Sequence, residues 1–546
     1  MAEAVVKMKR ERSVLERENG VACPLCGERV RALVTDYPGL SDGKGACTRC
    51  LDQIDSAFLK KSGGFPASIA SRVGEDMVVF PTPLRLNADP ELTGKGVTIC
   101  FVDSGFAPHP DLTQPVNRIL CTVDIAAGQT DPGMFFPHHD DNWHGTMTSV
   151  VCAGNGFLSD GFYRGIASEA QLVLLKVKDE HGISGKNIAK AIRWAIENRE
   201  RYNIRIINLS VTDDEPVSFK ESEVDLAAEE AVKAGMAVVA AVGNDPSQPV
   251  KPPANSPNVI AVGGVDDHNT LGMMMEEIYH STFGITVDQF LKPEMIAPSI
   301  WLAAPILPMT NTHREARGLY DILKADDRYL KGVLAKELQN ANLESSLLQD
   351  EYTLGIRETV RSRIKKGKFV SPDYMHADGT SFAAPIVCAV IAQMLQANSD
   401  LTPPAIRNIL LGTARKLDHV PVERQGYGVV DARAAVLRSM VEKHIARTDF
   451  PNSPAIDRIN RKVIFYYHDD QAHTVALAGS FNAWQPKSDL FSRSGNGIWK
   501  AEIPLPQSGV YLYKFVVDHR RWVSDPENAY REPDGFNGLN SRFTVD

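Results

Sequence analysis

A serine set among small residues, Asp378-Gly379-Thr380-Ser381-Phe382-Ala383-Ala384-Pro385, stands directly before an apolar, alanine-rich run from Ile386 to Leu395. The spacing of that run predicts a buried helix. A serine at the start of such a helix has its hydroxyl near N–H groups without an intrahelical acceptor and near the positive end of the helix dipole. On its own the octapeptide fits a helix N-cap as well as a nucleophile. Two further residues bear on the choice. Asp103 closes the apolar run Gly96-Val97-Thr98-Ile99-Cys100-Phe101-Val102-Asp103-Ser104-Gly105, and His144 opens a helix of small and apolar residues, His144-Gly145-Thr146 to Ala153-Gly154. Taken singly, Asp103 fits a turn or cap aspartate and His144 a structural histidine.

A second group of reactive residues lies near the start. Cys23-Pro-Leu-Cys26 and Cys47-Thr-Arg-Cys50 can supply four thiolates at tetrahedral corners, the donor set of a closed structural zinc site. Cys23, Cys26, Cys47 and Cys50 are therefore expected to bind Zn2+ in a zinc-ribbon-like segment, residues 1–55. Cys100, Cys121, Cys152 and Cys388 lie in apolar or mixed segments and read as buried free thiols. His138, His139, Asp140 and Asp141 resemble a metal cluster but read more simply as a polar loop.

The elements that must position Asp103, His144 and Ser381 alternate between strand and helix. The run ending at Asp103 suits a strand buried on both faces of a parallel sheet. After it come a strand run Gln171 to Lys178, an amphipathic helix Gly185 to Glu200, and a strand run Ile204 to Val211. A helix Val224 to Gly235, a strand Met236 to Val242 closing in Gly243-Asn244, and a strand Val259 to Gly263 follow. Such alternation predicts an α/β, doubly wound parallel sheet, whose strand ends collect on one face. An acid at the carboxyl end of a strand lies where open α/β sheets place ligands.

The motifs Val102-Asp103-Ser104-Gly105, His144-Gly145-Thr146, Ala241-Val242-Gly243-Asn244 and Gly379-Thr380-Ser381-Phe382-Ala383-Ala384-Pro385 resemble, in type and order, those of the subtilisin-like serine proteases. Lys292-Pro293-Glu294-Met295-Ile296-Ala297-Pro298 and Gly426-Tyr427-Gly428-Val429-Val430-Asp431 resemble further family stretches, so the likeness spans roughly 90–440. The resemblance implies a subtilisin-like fold and a serine endopeptidase acting on protein or peptide. It makes Ser381 the nucleophile, His144 its base, Asp103 the residue orienting that base, and Asn244 the donor to the oxyanion. Ser210, Val211 and Thr212 would form one wall of the substrate pocket, Ala241 and Gly243 the other, with Gly182 to Gly185 as a second pairing edge. Asp378 reads as a loop or cap residue.

The chain departs from that family in two places. Thr212 and Asp213 stand where glycines are usual, and their side chains are expected to narrow the pocket. Residues 310–368 are an insertion, charged and with Leu and Ile at helical spacing, expected to form two or three helices beside the nucleophile. It reads as a lid, a docking arm, an autoinhibitory element or plain surface decoration. Relatives often bind Ca2+, although no ligand spacing for it is evident here.

Beyond a linker at 448–460 the pattern shifts to short alternating strands separated by Gly-rich turns, which predicts a β-sandwich over 461–546. Gly479-Ser-Phe-Asn-Ala-Trp484, Tyr513-Lys514-Phe, Arg521-Trp522-Val-Ser-Asp525-Pro526 and Asn537-Gly-Leu-Asn540 resemble the glycogen-binding module of AMP-activated protein kinase and isoamylase-type enzymes. The resemblance makes Trp484 and Trp522 sugar-stacking platforms and Lys514 and Asn540 hydrogen-bond donors, so α-glucan or a partner protein is the expected ligand there.

The chain thus divides into the zinc-ribbon-like segment 1–55, a linker 56–89, a peptidase domain 90–447, a linker 448–460 and the sandwich 461–546. At 546 residues with 43% hydrophobic and 23% charged content it is ordinary for a globular protein of several domains. A net charge of -9 gives no basic footprint for nucleic acid. No apolar run approaches the roughly 20 residues that span a bilayer. Met1 to Gly20 is charged and lacks the apolar centre of a secretory signal, which predicts cytoplasmic residence. Two function classes follow: a regulated intracellular endopeptidase, and a catalytically silent or partner-gated scaffold on a protease fold. Reactive residue types at 103, 144, 244 and 381 favour the first.

Overall fold

The computed structural model describes residues 79–130, 142–270, 276–350, 352–442, 453–469, 471–486, 489–495 and 497–546, together with the backbone of 14–22 and 29–34. Those two N-terminal stretches form an antiparallel hairpin, β1 (Val14–Ala22) and β2 (Arg29–Val34). The four cysteines of the expected zinc site and the His138 to Asp141 run lie outside the described residues.

The centre is a parallel sheet. In chain order its elements are β3 (Thr98–Asp103), β4 (Ile119–Asp124), α1 (Trp143–Ala153), β5 (Gln171–Lys176), α2 (Gly185–Glu197), β6 (Ile204–Leu209), α3 (Glu223–Lys233), β7 (Ala237–Ala241), β8 (Ile260–Asp266) and β9 (Met295–Pro298). The parallel strands lie side by side in the order β9-β8-β7-β6-β3-β5-β4. Every residue of β3 is buried, because helices cover both sheet faces. Alternate side chains feed two cores: Ile99 and Phe101 face one, Cys100 and Val102 the other. Apolar residues of α2 at 188, 189, 191, 192 and 195 form the stripe that covers the second core.

The segment after β9 carries the insertion. Strand β10 (Leu302–Pro305) leads into α4 (Asn311–Lys324), α5 (Leu330–Glu337) and α6 (Thr353–Lys366), then β11 (Phe369–Ser371) and β12 (Tyr374–Ala377). The helices bury Leu319, Ile322, Leu334, Ile356 and Val360 in a core of their own. The sheet β10-β12-β11 ties them back, and β12 runs straight into the loop before Ser381.

Helix α7 (Thr380–Ala397) follows, with α8 (Pro403–Thr413) and α9 (Ala432–Val441) packed in the same core. Among the described residues α7 is long and apolar enough to cross a membrane by length and composition, but it is the buried core helix of this domain.

The C-terminal part is a β-sandwich built from β13 (Ala455–Asp457), β14 (Lys462–His468), β15 (Val475–Gly479), β16 (Ser492–Gly495), β17 (Ile498–Pro504), β18 (Gly509–Val517), β19 (Arg521–Val523), β20 (Arg531–Pro533) and β21 (Leu539–Val545). Phe465, Trp499, Tyr513, Phe515 and Phe543 fill its interior. Two stretches expected to be linkers contribute structure. Residues 455–457 pair with β14 at the edge of the first sheet, where the proline at 454 loses no ladder bond. At the other end Arg85 is fully buried and forks onto Asp267 through Nε at 2.7 Å and Nη2 at 2.5 Å. The sandwich docks on the parallel-sheet domain: Arg407 donates to Pro526 O at 2.8 Å, Asn408 to Glu527 at 2.6 Å, and Tyr427 Oη lies 2.6 Å from Ser524 Oγ.

Candidate active site

The parallel register brings three strand ends together. Val102 pairs with Leu209 and Leu209 with Ala240, so Asp103, Ser210 and Ala241 are neighbours at the carboxyl edge of the sheet. Asp103 is fully buried. Its Oδ1 lies 2.7 Å from His144 Nδ1 and accepts the Ser104 N–H at 2.7 Å, while Oδ2 accepts the Thr148 hydroxyl at 3.1 Å. His144 stands in the first turn of α1, held close to β3 because Gly145 has no side chain: a Cβ there would come 2.3 Å from Gly105 O. Burial works against the charged imidazole, but the charge and hydrogen bond of Asp103 outweigh it and raise its pKa above the ordinary histidine value. With Nδ1–H given to Asp103, Nε2 is left as the ring's basic nitrogen.

The cap of α7 is Gly379, at φ 136°, a conformation that only glycine adopts readily. Ser381 therefore lies in the first turn and is not the N-cap, which removes the simpler reading of the octapeptide. The Gly379 N–H donates to Ser299 O at 2.8 Å, fixing the approach to the helix. The imidazole of His144 lies 6.1 Å from the ring of Phe382, next to the serine. Ser381 Oγ makes no hydrogen bond to His144.

Asn244 follows β7. Its Oδ1 accepts the Thr380 N–H at 2.8 Å and the Thr380 hydroxyl at 3.0 Å. A backbone N–H can only donate, so the atom facing it must be the amide oxygen, and the amide NH2 points the other way. An exposed NH2 beside the first turn of α7 can donate to an anion forming near Ser381.

The expected pocket residues are distributed unevenly. Ser210 Oγ donates to Ser381 O at 2.9 Å and accepts from Asn208 Nδ2 at 2.9 Å, so its hydroxyl is committed inside the protein. Val211 is buried and Thr212 half-buried after it. The Gly243 N–H meets Thr380 Oγ1 at 3.3 Å. Gly182 closes a tight turn with Asp179, whose N–H donates to Gly182 O at 2.9 Å. The Asp213 carboxylate lies against Gly185, at the start of α2.

Thr148, Thr380 and Ser299 carry contacts that sequence reading missed. Thr148 sits one turn after His144 on the same helix face, which was the available signal. Asp378 pairs with Lys368 at 3.0 Å and His376 at 2.6 Å, and the His376 bond, with that of Lys368, holds its carboxyl down at about 2. Lys368 follows α6, so this pair joins the insertion to the loop before Ser381. Among the described residues no cluster of His, Cys, Asp and Glu could hold a metal ion.

In the sandwich, Trp522 is 45% exposed and Trp484 packs on Ala476, Ala478 and Val516. Lys514 is paired with Asp534, and Asn540 is buried.

Residues 94–428 match the subtilase family. The chain is a subtilase. It is accordingly a subtilisin-like serine endopeptidase, with the parallel-sheet fold of that family. The subtilase is 32% identical to serine protease AprX of Bacillus subtilis (strain 168) over 356 residues, 63% of this chain and 67% of AprX. It is 33% identical to the minor extracellular protease Epr of the same organism over 273 residues, 49% of this chain and 34% of Epr. Fervidolysin from Fervidobacterium pennivorans, described as a keratinolytic enzyme related to subtilisin, is a solved structure matching 78% of this subtilase and 53% of its own chain. That match has 18% identity and a TM-score of 0.43. Residues 462–545 of the subtilase match the glycogen recognition site of AMP-activated protein kinase.

Proposed function

We propose that this subtilase hydrolyses protein peptide bonds through Ser381, His144, Asp103 and Asn244. The observation that carries the reading is the 2.7 Å contact between His144 Nδ1 and Asp103 Oδ1, which leaves Nε2 basic beside the serine-bearing turn. In this reading Ser381 Oγ attacks the scissile carbonyl carbon as His144 Nε2 takes its proton. The carbonyl oxygen becomes an oxyanion, stabilised by the Asn244 NH2 and the Ser381 N–H. Collapse breaks the C–N bond, and the imidazolium returns the proton to the leaving amine. Water, deprotonated by the same imidazole, then attacks the acyl ester and releases Ser381 and the new carboxylate. Asp103 stays ionised throughout and stabilises the imidazolium. Substrate lies as an extended strand between Val211-Thr212 and Gly182-Ile183. The test is hydrolysis of an unstructured protein by the wild type and by Ser381→Ala. Turnover in the wild type alone is expected, and equal turnover in both defeats the reading.

A gated enzyme is the second form of this reading. What favours it is the connection of the insertion to Asp378 through Lys368, three residues from Ser381. The reading extends to residence in a reducing compartment, for which the free thiols Cys100, Cys121, Cys152 and Cys388 speak. It also takes Cys23, Cys26, Cys47 and Cys50 as a structural Zn2+ site, on their spacing, and the sandwich as an α-glucan module, on its family match and exposed Trp522.

A further inference from the structure

The face of the sandwich that carries Trp522 and Lys514 is turned toward the protease domain. Along β18 the side chains of Tyr513, Phe515 and Val517 enter the sandwich interior, so Lys514 and Val516 project from the other face. Val516 pairs with Trp522 and Lys514 with Ala478, which puts Trp522 and Lys514 on that outer face together. The protease domain stands opposite. Lys416 Nζ donates to Asn537 O at 2.7 Å, Asn537 Nδ2 donates to Leu417 O at 3.1 Å, and Tyr427 meets Ser524.

Between these contacts a cleft of about 390 Å³ remains open. Trp522 and Lys514 line one side; Asn408, Gly412 and Lys416 line the other. Its charges are largely matched. Lys514 pairs with Asp534, Arg521 with Asp469 at 2.7 Å, Arg438 with Glu442 at 3.1 Å, and Lys416 rests on a carbonyl. A half-exposed indole face with a polar rim and little surplus charge suits a neutral polyhydroxyl ligand with an apolar ring face. The volume is at the small end of ligand pockets, which run from about 300 to 1,000 Å³, and suits a short oligosaccharide.

We propose that this interdomain cleft is a composite site for the end of a short α-glucan, with Trp522 and Lys514 on one wall and Asn408, Gly412 and Lys416 of the protease domain on the other. The proposal rests on the α-glucan reading of the module and adds the second wall. Two consequences follow. Chain ends enter and the interior of a polymer does not. A bound oligosaccharide touches both domains and stabilises their docked arrangement by mass action.

Gly412 provides the discriminating variant. A Cβ at this position meets nothing within 4 Å, so a methyl is accommodated without a clash, and a larger side chain takes up space in the cleft that Gly412 lines. The experiment measures maltoheptaose binding to the full chain by tryptophan fluorescence and calorimetry, with cellohexaose as control. Expected are saturable binding of maltoheptaose alone, at least a tenfold loss in Trp522→Ala and in Gly412→Phe, and wild-type affinity in Gly412→Ala. Unchanged thermal midpoints show that the variants are folded. Wild-type affinity in Gly412→Phe with loss in Trp522→Ala overturns the composite site and leaves the module's sugar binding standing. Failure of the wild type to bind either maltoheptaose or glycogen overturns the α-glucan reading itself, and the composite site with it.

Discussion

Ser210 Oγ donates to the carbonyl oxygen of Ser381 at 2.9 Å, and the reason lies four residues further on. In a regular helix the N–H of residue 385 would fill that carbonyl, but Pro385 has none. Ser210, at the end of β6, supplies the missing donor and is itself held by Asn208. Its hydroxyl therefore positions the backbone that carries Ser381, the proposed nucleophile. Ser210→Ala should leave the carbonyl unmatched at a cost of about 1–3 kcal/mol, lowering the thermal midpoint and kcat with little change in KM. Ser210→Ala/Pro385→Ala, which restores a helical N–H, should recover much of both. A double variant no better than the single one would refute the relationship.

The bond from Thr380 to Asn244 predicts a split between binding and rate. In the proposed mechanism Asn244→Leu removes an NH2 needed only once the oxyanion forms, so kcat should fall by about 10²–10³, the magnitude known within this family, with KM nearly unchanged. Thr380→Val keeps the N–H bond to Oδ1 but loses the hydroxyl one, and a smaller drop in kcat is expected. Steady-state kinetics on a peptide substrate measure both; a rise in KM at constant kcat would assign Asn244 to ground-state binding instead.

The pH profile should report His144. As the proposed general base His144 works as the neutral ring, and Asp103 raises its pKa, so activity should fall as pH drops through a value above that of an ordinary histidine. Asp103→Asn removes both raising influences and leaves burial, which lowers the pKa. Its acid limb should move to lower pH, with kcat reduced by about 10⁴ because the imidazole tautomer is no longer held. An acid limb unmoved in the variant would show that another group controls the profile.

A buried charge network supports the sheet beneath the site. Lys292 Nζ donates to Glu294 Oε1 at 2.7 Å and to Ser256 O at 2.6 Å, and Arg407 reaches Glu294 at 3.2 Å. Lys292→Met leaves the Glu294 carboxylate buried with Arg407 as its remaining ionic partner. Removing one member of such a pair costs about 3–5 kcal/mol, so the thermal inactivation midpoint should fall by several degrees. A midpoint within one degree of wild type would show that the site relaxes around the loss.

Much of the architecture could be read before any coordinates, because β3 and β7 are continuous apolar runs and α2 carries a clear stripe. Asp103 ends β3 and Asn244 follows β7, so parallel register brings these two to one edge, while His144 and Ser381 lie in the first turns of α1 and α7. What resisted reading depends on partners distant in sequence. Nothing near Ser210 indicates that its hydroxyl serves a carbonyl 171 residues away. The path of Asp213 toward Gly185 depends on how β6 sits beside the start of α2. Ala455–Asp457 is too short for periodicity to register, so it read as linker. The docking of the sandwich on α8 involves side chains such as Arg407 and Asn408 that resemble ordinary surface residues in sequence.

The most direct test of the account is covalent. A fluorophosphonate probe should label the native full-length protein at one serine, mapped by mass spectrometry to Ser381. Labelling should vanish in Ser381→Ala, fall steeply in His144→Ala, and disappear on denaturation. Equal labelling of the wild type and Ser381→Ala, or an adduct on a different serine, would contradict the assignment of the nucleophile on which the account rests.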